Sequence, residues 1–427
     1  MSGADRRKEA IRAIAGTRDI LPEEMAVWHR MEAAARGLFA GYGYRELRTP
    51  VFEETRLFAR GLGAETDIVS KEMYTFEDRD EAQTLLTLRP EATAGIVRAV
   101  IEHNLIQTDP ALKVYALGPM FRRERPQKGR YRQFHQVDIE AFGMASPSVD
   151  VEIIELAVGF LEACGIGEYE LLLNSVGDAS CRPQYVELLR GILRENAAAL
   201  SEDSRRRTET NPLRVLDSKA PEDQAVVAGL PKLVDHLSPE CRDHFDEVRR
   251  QLELLGIRYR LEHRLVRGLD YYVKTTFEVT SGALGAQNSL LGGGRYDGLV
   301  AELGGPEVPG IGFAAGLERI ALAMPAAAGE GRCDVFLMPL GASAQDAALV
   351  LQRALRQAGL SALQETEGKS FKSKMKMADK LGARFVLIRG EDEAKKGVWA
   401  VRDMHGSAQE EVPEGRLLDH LKEKTNG

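Results

Sequence analysis

Apolar residues near the start of the chain recur every three or four positions, and strict alternation follows them. One stripe predicts a helix from about Pro22 to Gly41, and it consists of Met25, Trp28, Met31, Ala35 and Leu38. The segment GYRELRTPVFEE (43–54) then alternates and predicts one strand that continues beyond Pro50. The segment TLRPEATAGIVRAVIEHN (87–104) predicts a strand end that feeds a helix.

Two alternating runs, at 112–122 and 132–143, predict an antiparallel hairpin. Successive side chains of a strand point to opposite faces. One face of the second strand carries aromatic, amide and carboxylate groups, namely Phe134, Gln136, Asp138, Glu140 and Phe142. The other face belongs to the core and carries His135, Val137, Ile139 and Ala141. The polar face is therefore either in contact with water or the wall of a polar pocket.

The rest of the pattern divides the chain into a large first part and a smaller second part. Charged, helical sequence from about 175 to 256 predicts an inserted helical module, after which strand-like sequence resumes. The stretch AAAGEGR (326–332) predicts a linker, and the segments beyond it predict a βαβαβ pattern with a small parallel sheet. We therefore expect one domain at 1–328 and a second at 333–427.

Composition indicates an ordinary globular protein and changes the picture mainly through charge. Hydrophobic residues make up 44% of the 427 positions, and no apolar run approaches the ~20 residues that span a bilayer. The net charge of −8 excludes nucleic-acid binding through overall charge, although not through a local basic patch. Four cysteines without metal-ligand spacing predict reduced thiols in a cytosolic protein and no metal site: Cys164, Cys181, Cys241 and Cys333.

A basic loop joins the two strands of the hairpin. It holds one acid, Glu124, against six cations, namely Arg122, Arg123, Arg125, Lys128, Arg130 and Arg132. Guanidinium groups beside a row of carboxylates can bind a phosphate while the acids hold an ammonium or an imidazole. An amino acid together with a nucleotide would satisfy both halves. These residues alone leave a solvated loop tip and a phosphate contact equally open.

Two segments place further candidate residues at the ends of predicted elements. Glu91 and Thr93 stand at a helix start, where an acid is also common because it complements the helix dipole. The segment RLVRGLDYY (264–272) sets Arg267 beside two tyrosines where a strand resumes. A surface arginine and core tyrosines are the simpler interpretation of that segment taken alone.

Two glycine-rich segments follow, and neither is a nucleotide-binding loop of a common type. LLGGGRYDGL (290–299) lacks the Lys-Ser/Thr ending of a phosphate-binding P-loop, but its glycines allow close approach of the backbone. GIGFAAGLERI (310–320) lacks the spacing of a dinucleotide-binding turn. Arg319 lies in the apolar helix that it opens, where a cation requires a partner.

Taken together, these segments resemble the class II aminoacyl-tRNA synthetases, and within them the bacterial histidyl-tRNA synthetases, over essentially the whole chain. The segments that resemble the three class motifs are GYRELRTPVFEE, FRRERPQKGRYRQFHQVDIE (121–140) and GIGFAAGLERI. RGLDYY and GGGRYDGL resemble two signatures of the histidine branch, and NPLRVLDSK (211–219) falls in the helical module. The resemblance implies an α+β catalytic core with a mixed, largely antiparallel sheet, a helical insertion and a C-terminal α/β anticodon-binding domain.

The resemblance also implies a reaction and a set of site residues. Histidine would be activated by ATP, with Mg²⁺ on the outer phosphates, and then transferred to its tRNA. Arg122 and Arg267 would be catalytic and flank the α-phosphate of ATP, and Arg319 would bind the γ-phosphate. The residues implied to contact histidine are Glu91, Thr93, Gln136, Glu140, Tyr271, Tyr272 and Tyr296. Arg125 and Gln127 would contact the acceptor end of the tRNA.

Other properties follow from the same resemblance, and two positions depart from it. The family is dimeric and cytoplasmic, so we expect a homodimer in the cytoplasm with no membrane contact. Arg123 stands where a histidine is often found, and Ala92 replaces a commoner glycine. A lysine-rich helix in the last domain is either a solvated face or a phosphate contact, through Lys369, Lys372, Lys374, Lys376 and Lys380.

Two competing functions share parts of this pattern. In some bacteria a non-catalytic relative regulates ATP phosphoribosyltransferase, but such relatives lack the anticodon-binding domain and lose residues of RGLDYY and of the second motif. This chain retains all of these features. A class II synthetase for another amino acid is disfavoured by Glu140 together with Tyr271 and Tyr272. We therefore expect a histidine-activating enzyme.

Overall fold

The computed structural model describes residues 11–63, 66, 68–266, 271–285, 288–325, 333–364, 370–406 and 408–426, with the backbone alone at 343, 425 and 426. The chain forms two compact units, Met1–Pro325 and Ala326–Gly427. Within the described ranges no helix combines the length and apolar character needed to cross a membrane. The domain boundaries expected from the sequence stay a prediction.

The strands of the described residues are distributed over three sheets. They are β1 (Arg45–Glu46), β2 (Phe52–Glu54), β3 (Tyr74–Glu77), β4 (Leu85–Leu88), β5 (Lys113–Phe121), β6 (Gln133–Phe142), β7 (Glu170–Ser175), β8 (Arg260–Leu261), β9 (Val273–Thr280), β10 (Ser289–Arg295), β11 (Gly310–Gly316), β12 (Val335–Pro339), β13 (Ala362–Gln364), β14 (Phe385–Arg389), β15 (Val398–Asp403) and β16 (Gln409–Pro413).

The α-helices of the described residues pack around these sheets. They are α1 (Met25–Gly41), α2 (Thr55–Leu62), α3 (Thr93–Glu102), α4 (Leu105–Thr108), α5 (Pro147–Ala163), α6 (Arg182–Glu195), α7 (Glu202–Thr210), α8 (Gln224–Ala228), α9 (Pro239–Leu254), α10 (Leu299–Glu302), α11 (Leu317–Ala323), α12 (Ala342–Gln357), α13 (Phe371–Lys380), α14 (Glu391–Lys396) and α15 (Leu417–Asn426).

The centre of the first unit is an eight-stranded sheet in the order β1-β5-β6-β11-β10-β9-β7-β8. Its inner pairs are antiparallel, and only the β1–β5 and β7–β8 pairs at its two edges are parallel. The expected mixed, largely antiparallel sheet is confirmed. One face packs against α1, α5, α9 and α11 in a single apolar core. On the opposite face α3 and α10 cover one end, and a polar pocket lies beside them.

The hairpin of β5 and β6 forms as predicted, with Phe121 paired to Gln133 next to the basic loop. The two faces of β6 are also as predicted. Val137, Ile139 and Ala141 belong to the helix-covered core. Gln136 and its polar neighbours on the other face are buried rather than solvated, so β6 is enclosed on both sides.

Two predicted elements differ in the structure. The strand expected across 43–54 is two strands, because β1 joins the large sheet whereas β2 joins a separate β2-β4-β3 sheet. Pro50 between them has no N–H to donate to a ladder. The first helix begins at Met25 rather than at Pro22, and its buried stripe ends at Phe39, with Leu38 only half-buried.

The predicted helical insertion consists of two structurally distinct parts. Helices α6 to α8 and the turns between them enclose a small core of their own, which includes Tyr185, Leu189 and Val215. Helix α9 instead packs on α5, and its residues Phe245 and Val248 belong to the core of the large sheet. Residues 239–254 are therefore part of the body of the first unit, a distinction that helical periodicity alone does not reveal.

A buried ion network connects three elements of the first unit. Asp150 of α5 accepts hydrogen bonds from the Arg295 guanidinium of β10, at 3.1 Å to Nε, and contacts His244 Nε2 of α9 at 2.9 Å. Asp150 and Arg295 are fully buried. Asp297 and the Met144 carbonyl take further guanidinium hydrogen bonds. Arg295 is therefore a structural residue that holds β10 against α5.

The second unit is built on a five-stranded sheet in the order β13-β12-β14-β15-β16. The first three of its strands in sequence are parallel and alternate with α12 and α13, as the βαβαβ pattern predicted. Two antiparallel strands, β15 and β16, extend the sheet beyond that prediction. Lys374 of α13 is buried, whereas Lys372, Lys376 and Lys380 are exposed, and Lys369 lies outside the described residues. Lys374 is therefore removed from the predicted phosphate contact.

We expect Asp150→Ala to destabilise the first unit by about 3–5 kcal/mol, because it removes the fully buried one of the two carboxylates that pair with the Arg295 guanidinium. The chain has two tryptophans, Trp28 in the first unit and Trp399 in the second. Urea unfolding followed by Trp28 fluorescence in a Trp399→Phe background would measure the first unit alone. In that background Glu247→Ala, which removes a surface ion pair with Arg250, serves as the control and should leave the midpoint nearly unchanged. Equal midpoints for the two variants would contradict a structural role for the network.

Candidate active site

A cavity of about 400 Å³ lies on the polar face of the large sheet. It brings together nine residues predicted from the sequence: Glu91, Thr93, Arg122, Gln136, Glu140, Tyr271, Tyr272, Tyr296 and Arg319. The exposed residues Arg125 and Gln127 lie in the basic loop and do not line the cavity. Arg267 lies outside the described residues. Residues far apart in sequence therefore meet in one pocket.

Glu140 connects three elements at the inner end of the cavity. Its Oε1 accepts a hydrogen bond of 2.6 Å from the Thr93 hydroxyl of α3, and its Oε2 accepts one from the Tyr296 hydroxyl. Burial raises the pKa of Glu140 to about 8, an effect that these two hydrogen bonds oppose and the nearby Glu91 carboxylate increases. Glu140 is therefore a carboxyl group whose charge requires a cationic partner.

Glu91 has a structural role besides lining the cavity. Its carboxylate accepts hydrogen bonds from the backbone N–H groups of Thr93 and Ala94, at 2.7 and 3.0 Å, and so caps the start of α3. Burial raises its pKa, although these hydrogen bonds and the Arg122 charge act in the opposite direction. Glu91 can therefore both complement the dipole of α3 and line the cavity.

Asp138 is a third buried carboxylate in the cavity. Neither of its oxygens has a hydrogen-bond partner among the described residues, and the same holds for the amide oxygen of Gln136. Burial, together with the Glu140 and Glu91 charges, raises the pKa of Asp138 well above its usual range. Strand alternation indicated that Asp138 faces the cavity, but the predicted site did not include it. Buried acceptors without donors are typical of a site that binds a donor-rich ligand.

Three tyrosines also line the cavity, namely Tyr271, Tyr272 and Tyr296. The Tyr271 ring lies 4.7 Å from Tyr272 and 5.6 Å from Tyr296, measured between centroids. Tyr296 is 1% exposed and Tyr272 is 9% exposed. Burial raises the pKa of Tyr271 and of Tyr296 well above the usual range. Their hydroxyls therefore stay protonated and can donate hydrogen bonds beside the carboxylates.

Glycines of β11 are required for this packing. A Cβ on Gly312 would lie 1.9 Å from Glu140 Oε2, and one on Gly310 would lie 2.3 Å from the Tyr296 ring. The backbone of β11 therefore passes directly against the side chains that form the inner end of the cavity. The sequence predicted a close approach of the backbone for LLGGGRYDGL and not for this segment.

The outer end of the cavity is cationic. The Arg122 guanidinium stacks over the Phe134 ring at 5.3 Å and donates to the Pro90 carbonyl at 2.8 Å. The Arg319 guanidinium donates to the carbonyls of Ser289 and Gly129, at 2.8 and 3.4 Å. Burial and the neighbouring Arg130 lower the pKa of Arg319, which indicates a cation in need of further negative charge. The partner expected for Arg319 is thus partly supplied by backbone carbonyls.

The basic loop is held in place by backbone contacts at both of its ends. Arg132 N–H donates to the Gly16 carbonyl at 2.6 Å, and Arg123 N–H donates to the Glu72 carbonyl at 2.7 Å. Gln127 and Arg130 close its tip with a pair of backbone hydrogen bonds. Arg130 and Tyr131 line the cavity, so the loop forms its rim.

A turn of the helical insertion also lines the cavity, and sequence analysis did not assign it a role. Asp217 and Lys219 stand on either side of Ser218, whose hydroxyl donates to the buried Asp223 carboxylate at 2.5 Å. Gln224 Nε2 donates to the Ser218 carbonyl at 2.7 Å. These bonds hold the turn so that Lys219 contributes to the wall that also contains Arg319. The motif NPLRVLDSK contained this signal, because its polar end follows a buried apolar run.

Carboxylates also line the outer end, so the residues present fit a magnesium ion there. Glu124 and Glu278 are the acids whose charges act on Arg319. Glu318 also lines the cavity and accepts the His135 backbone N–H at 3.0 Å. Carboxylate oxygens are ligands that Mg²⁺ prefers when it binds with substrate phosphates.

The raised pKa of Glu140 predicts a pH dependence of stability. Between about pH 4.5 and 8 the folded protein retains a proton on Glu140 that the unfolded chain releases, so stability falls as pH rises through this window. Glu140→Gln removes this contribution, and its stability should increase relative to the unsubstituted protein as the pH approaches 8. Unfolding midpoints at a series of pH values would measure the difference, with the exposed Glu195→Gln as control. A constant difference between Glu140→Gln and the unsubstituted protein from pH 5 to 8 would refute the assignment.

Comparisons with known proteins agree with this geometry. A family model described as histidyl-tRNA synthetase matches residues 16–320, and one described as an anticodon binding domain matches residues 334–424. The histidine–tRNA ligase of Solibacter usitatus (strain Ellin6076) is 51% identical over 417 residues, which are 97% of this chain and 100% of the relative. That of Koribacter versatilis (strain Ellin345) is 48% identical over 98% of each chain.

A solved structure supports the same assignment. The apo histidyl-tRNA synthetase of S. aureus has a TM-score of 0.81 and 35% sequence identity, over 97% of this chain and 100% of that one. The family matches extend over both units of the chain and include the residues that form the cavity. The chain therefore belongs to the histidyl-tRNA synthetase family of class II aminoacyl-tRNA synthetases.

Proposed function

We propose that this chain is a histidine–tRNA ligase. It activates L-histidine with ATP to histidyl-adenylate and pyrophosphate, and then transfers histidine to the 3′-terminal adenosine of tRNA(His). One observation carries the proposal besides family membership: a single cavity is lined by buried carboxylates and tyrosines at its inner end, and by guanidiniums with carboxylates beside them at its outer end. The inner carboxylates suit an amino acid with an ammonium and an imidazole, and the outer guanidiniums suit phosphates.

Histidine occupies the inner end. Glu140 and Tyr296, which are already hydrogen-bonded to each other, bind the imidazole together with Tyr272, and Tyr271 packs beside them. An acceptor carboxylate and phenolic hydroxyls can pair with both ring nitrogens, which an apolar analogue would leave unpaired. Glu91, Thr93 and Gln136 bind the α-ammonium.

Asp138 supplements the ammonium site. Its two buried oxygens, which have no hydrogen-bond partner among the described residues, can accept from an ammonium that carries three N–H donors.

Adenylate formation requires positioning and charge stabilisation rather than a general base. The nucleophile is the carboxylate of histidine, which is already ionised at neutral pH. Arg122 orients the α-phosphate from its stacked position over Phe134, and the family resemblance assigns Arg267 to the opposite side. Arg319 binds the γ-phosphate end, next to Lys219 of the insertion. Glu124 and Glu278 are the carboxylates that would hold a Mg²⁺ ion, which would neutralise charge on the outer phosphates.

The transfer step requires tRNA on the exposed side of the cavity. Arg125 and Gln127 at the exposed tip of the basic loop bind its acceptor end. The second unit binds the anticodon region, and Lys372, Lys376 and Lys380 on α13 provide exposed cations for phosphate contacts. A cytoplasmic location, where tRNA is charged, is part of the proposal.

A homodimer is supported by exposed apolar side chains around the first motif. Val51, Phe52, Phe76 and Leu85 are each at least 39% exposed, and all lie in or beside the β2-β4-β3 sheet. Clustered exposed apolar residues mark protein interfaces. We propose that this small sheet contacts a second copy of the chain.

Histidine-dependent exchange of labelled pyrophosphate into ATP tests the proposed reaction. We expect exchange with histidine and none with the other amino acids, in the absence of tRNA. The absence of exchange with every amino acid would contradict the proposal and favour a regulatory subunit of ATP phosphoribosyltransferase. Exchange with a different amino acid would contradict the assignment of the inner end.

Two variants should separate the two ends of the cavity. Glu140→Ala should raise KM for histidine by about 100-fold or more, because buried hydrogen-bonding groups lose their partner, with little change in KM for ATP. Arg319→Ala should raise KM for ATP by about 10-fold or more and leave that for histidine nearly unchanged. The exposed residues Glu195 and Arg353 provide matched controls as the variants Glu195→Ala and Arg353→Ala. If each variant affected both substrates equally, separate binding ends would be refuted.

A further inference from the structure

Two short turns meet where the helical insertion leaves the first unit and returns to it. The first turn, DASC, has Asp178 and Cys181 three residues apart, and the second, SPEC, has Ser238 and Cys241 at the same spacing. A carboxylate oxygen of Asp178 and the two sulfurs lie within 4.8 Å of one another. A pair of ligands at three-residue spacing, such as Asp178 and Cys181, together with a further thiol from a second turn, is typical of zinc sites.

The distances and burial at this cluster suit a small cation. Cys181 is 5% exposed and Cys241 is fully buried. Cys181 Sγ lies 3.9 Å from Asp178 Oδ1. A tetrahedral zinc with ligand bonds of about 2.0 Å to oxygen and about 2.3 Å to sulfur needs ligand atoms about 3.5 to 3.8 Å apart. The three ligand atoms, which lie within 4.8 Å of one another, would have to move closer together by only about an ångström to reach these distances.

We propose that Asp178, Cys181 and Cys241 form a zinc site. The fourth ligand is a water next to the Ser238 hydroxyl, which accepts the backbone N–H of Cys241 at 3.3 Å. Binding releases two thiol protons as Zn²⁺ forms two zinc–thiolate bonds and one zinc–carboxylate bond. Two thiolates and one carboxylate leave one excess negative charge, and Lys274 is the cation that acts on Asp178.

The donor set favours zinc over other uses of two adjacent thiols. Thiolates are soft ligands that select zinc among the abundant divalent cations, whereas Mg²⁺ and Ca²⁺ require oxygen ligands. Zinc also binds carboxylate oxygen beside sulfur, which is the donor combination that Asp178, Cys181 and Cys241 would provide.

The proposed site has a structural consequence for the insertion. Cys181 immediately precedes α6, the first helix of the insertion, and Cys241 lies in the first turn of α9. A bond between them closes residues 182–240 into a loop. Arg182, the neighbour of Cys181, donates to the Tyr272 carbonyl at the wall of the active site. The zinc ion would thus fix the base of the element that carries Lys219 to the cavity.

Titration of the full-length, reduced, metal-free chain with Co²⁺ tests the site. We expect about one equivalent to give the near-ultraviolet thiolate-to-cobalt band and the intense visible bands of tetrahedral cobalt, and Zn²⁺ to abolish them. Cys181→Ser and Cys241→Ser should each bind at least about 10-fold more weakly. Cys164→Ser and Cys333→Ser, which remove the other two buried thiols, should bind as the unsubstituted chain does.

A variant that should gain metal affinity keeps the test valid even if the cysteine-to-serine variants fold poorly. Ser238→Cys places a third thiolate at the fourth position and should tighten Co²⁺ binding at least about 10-fold and add charge-transfer intensity. Zn²⁺ should raise Tm of the unsubstituted chain by at least about 2 °C but not that of the Cys181→Ser/Cys241→Ser double variant. Absence of the thiolate band, its persistence in the double variant, or unchanged binding by Ser238→Cys would overturn the proposal.

Discussion

The hydrogen bonds of the Glu140 carboxylate are the contacts on which the active site depends. They join β6 to α3 through Thr93, and β6 to the residue that directly follows β10 through Tyr296. Because β6 is enclosed by the helix-covered core on its other face, the carboxylate cannot move without disturbing the sheet. Gly312 of the adjacent strand provides the space it occupies. The carboxylate that we propose to bind the imidazole is therefore fixed by the packing of the fold rather than by a flexible loop.

The carboxylates at the inner end repel one another, and the proposed binding of a cationic substrate accounts for their being kept together. Glu91, Asp138 and Glu140 are buried together, and their raised pKa values show that the ligand-free site disfavours its own negative charge. Functional sites commonly contain such perturbed groups because binding of the substrate relieves the repulsion. By contrast, the buried Asp150 has a lowered pKa: burial opposes its ionisation, but His244 and Arg295 outweigh that effect. The fold thus contains two kinds of buried carboxylate: Asp150 is paired with cations and has a lowered pKa, whereas the three carboxylates of the cavity have raised pKa values.

The helical insertion contributes to the same pocket through a turn held by Asp223. This turn carries Lys219. The hydrogen bonds that Ser218 makes with Asp223 and Gln224 are internal to the insertion. Movement of the insertion would therefore move Lys219 relative to Arg319. A zinc clamp between Cys181 and Cys241 would limit that movement at the base. The active site would then depend on the eight-stranded sheet and on the helical insertion, whose two ends are joined at Cys181 and Cys241.

The sequence by itself determined the alternation of β6, the basic loop beside it and the βαβαβ order that begins the second unit, because these are local patterns of period two or 3.6. It also supplied nine cavity residues through recognisable motifs. Only the tertiary structure decided which distant residues touch. Glu140 and Tyr296, or Cys181 and Cys241, come together through packing that no local pattern encodes. The same reason explains why Asp138 has no hydrogen-bond partner among the described residues and why residues 43–54 divide between two sheets: hydrogen-bond pairing and burial depend on every neighbouring element at once.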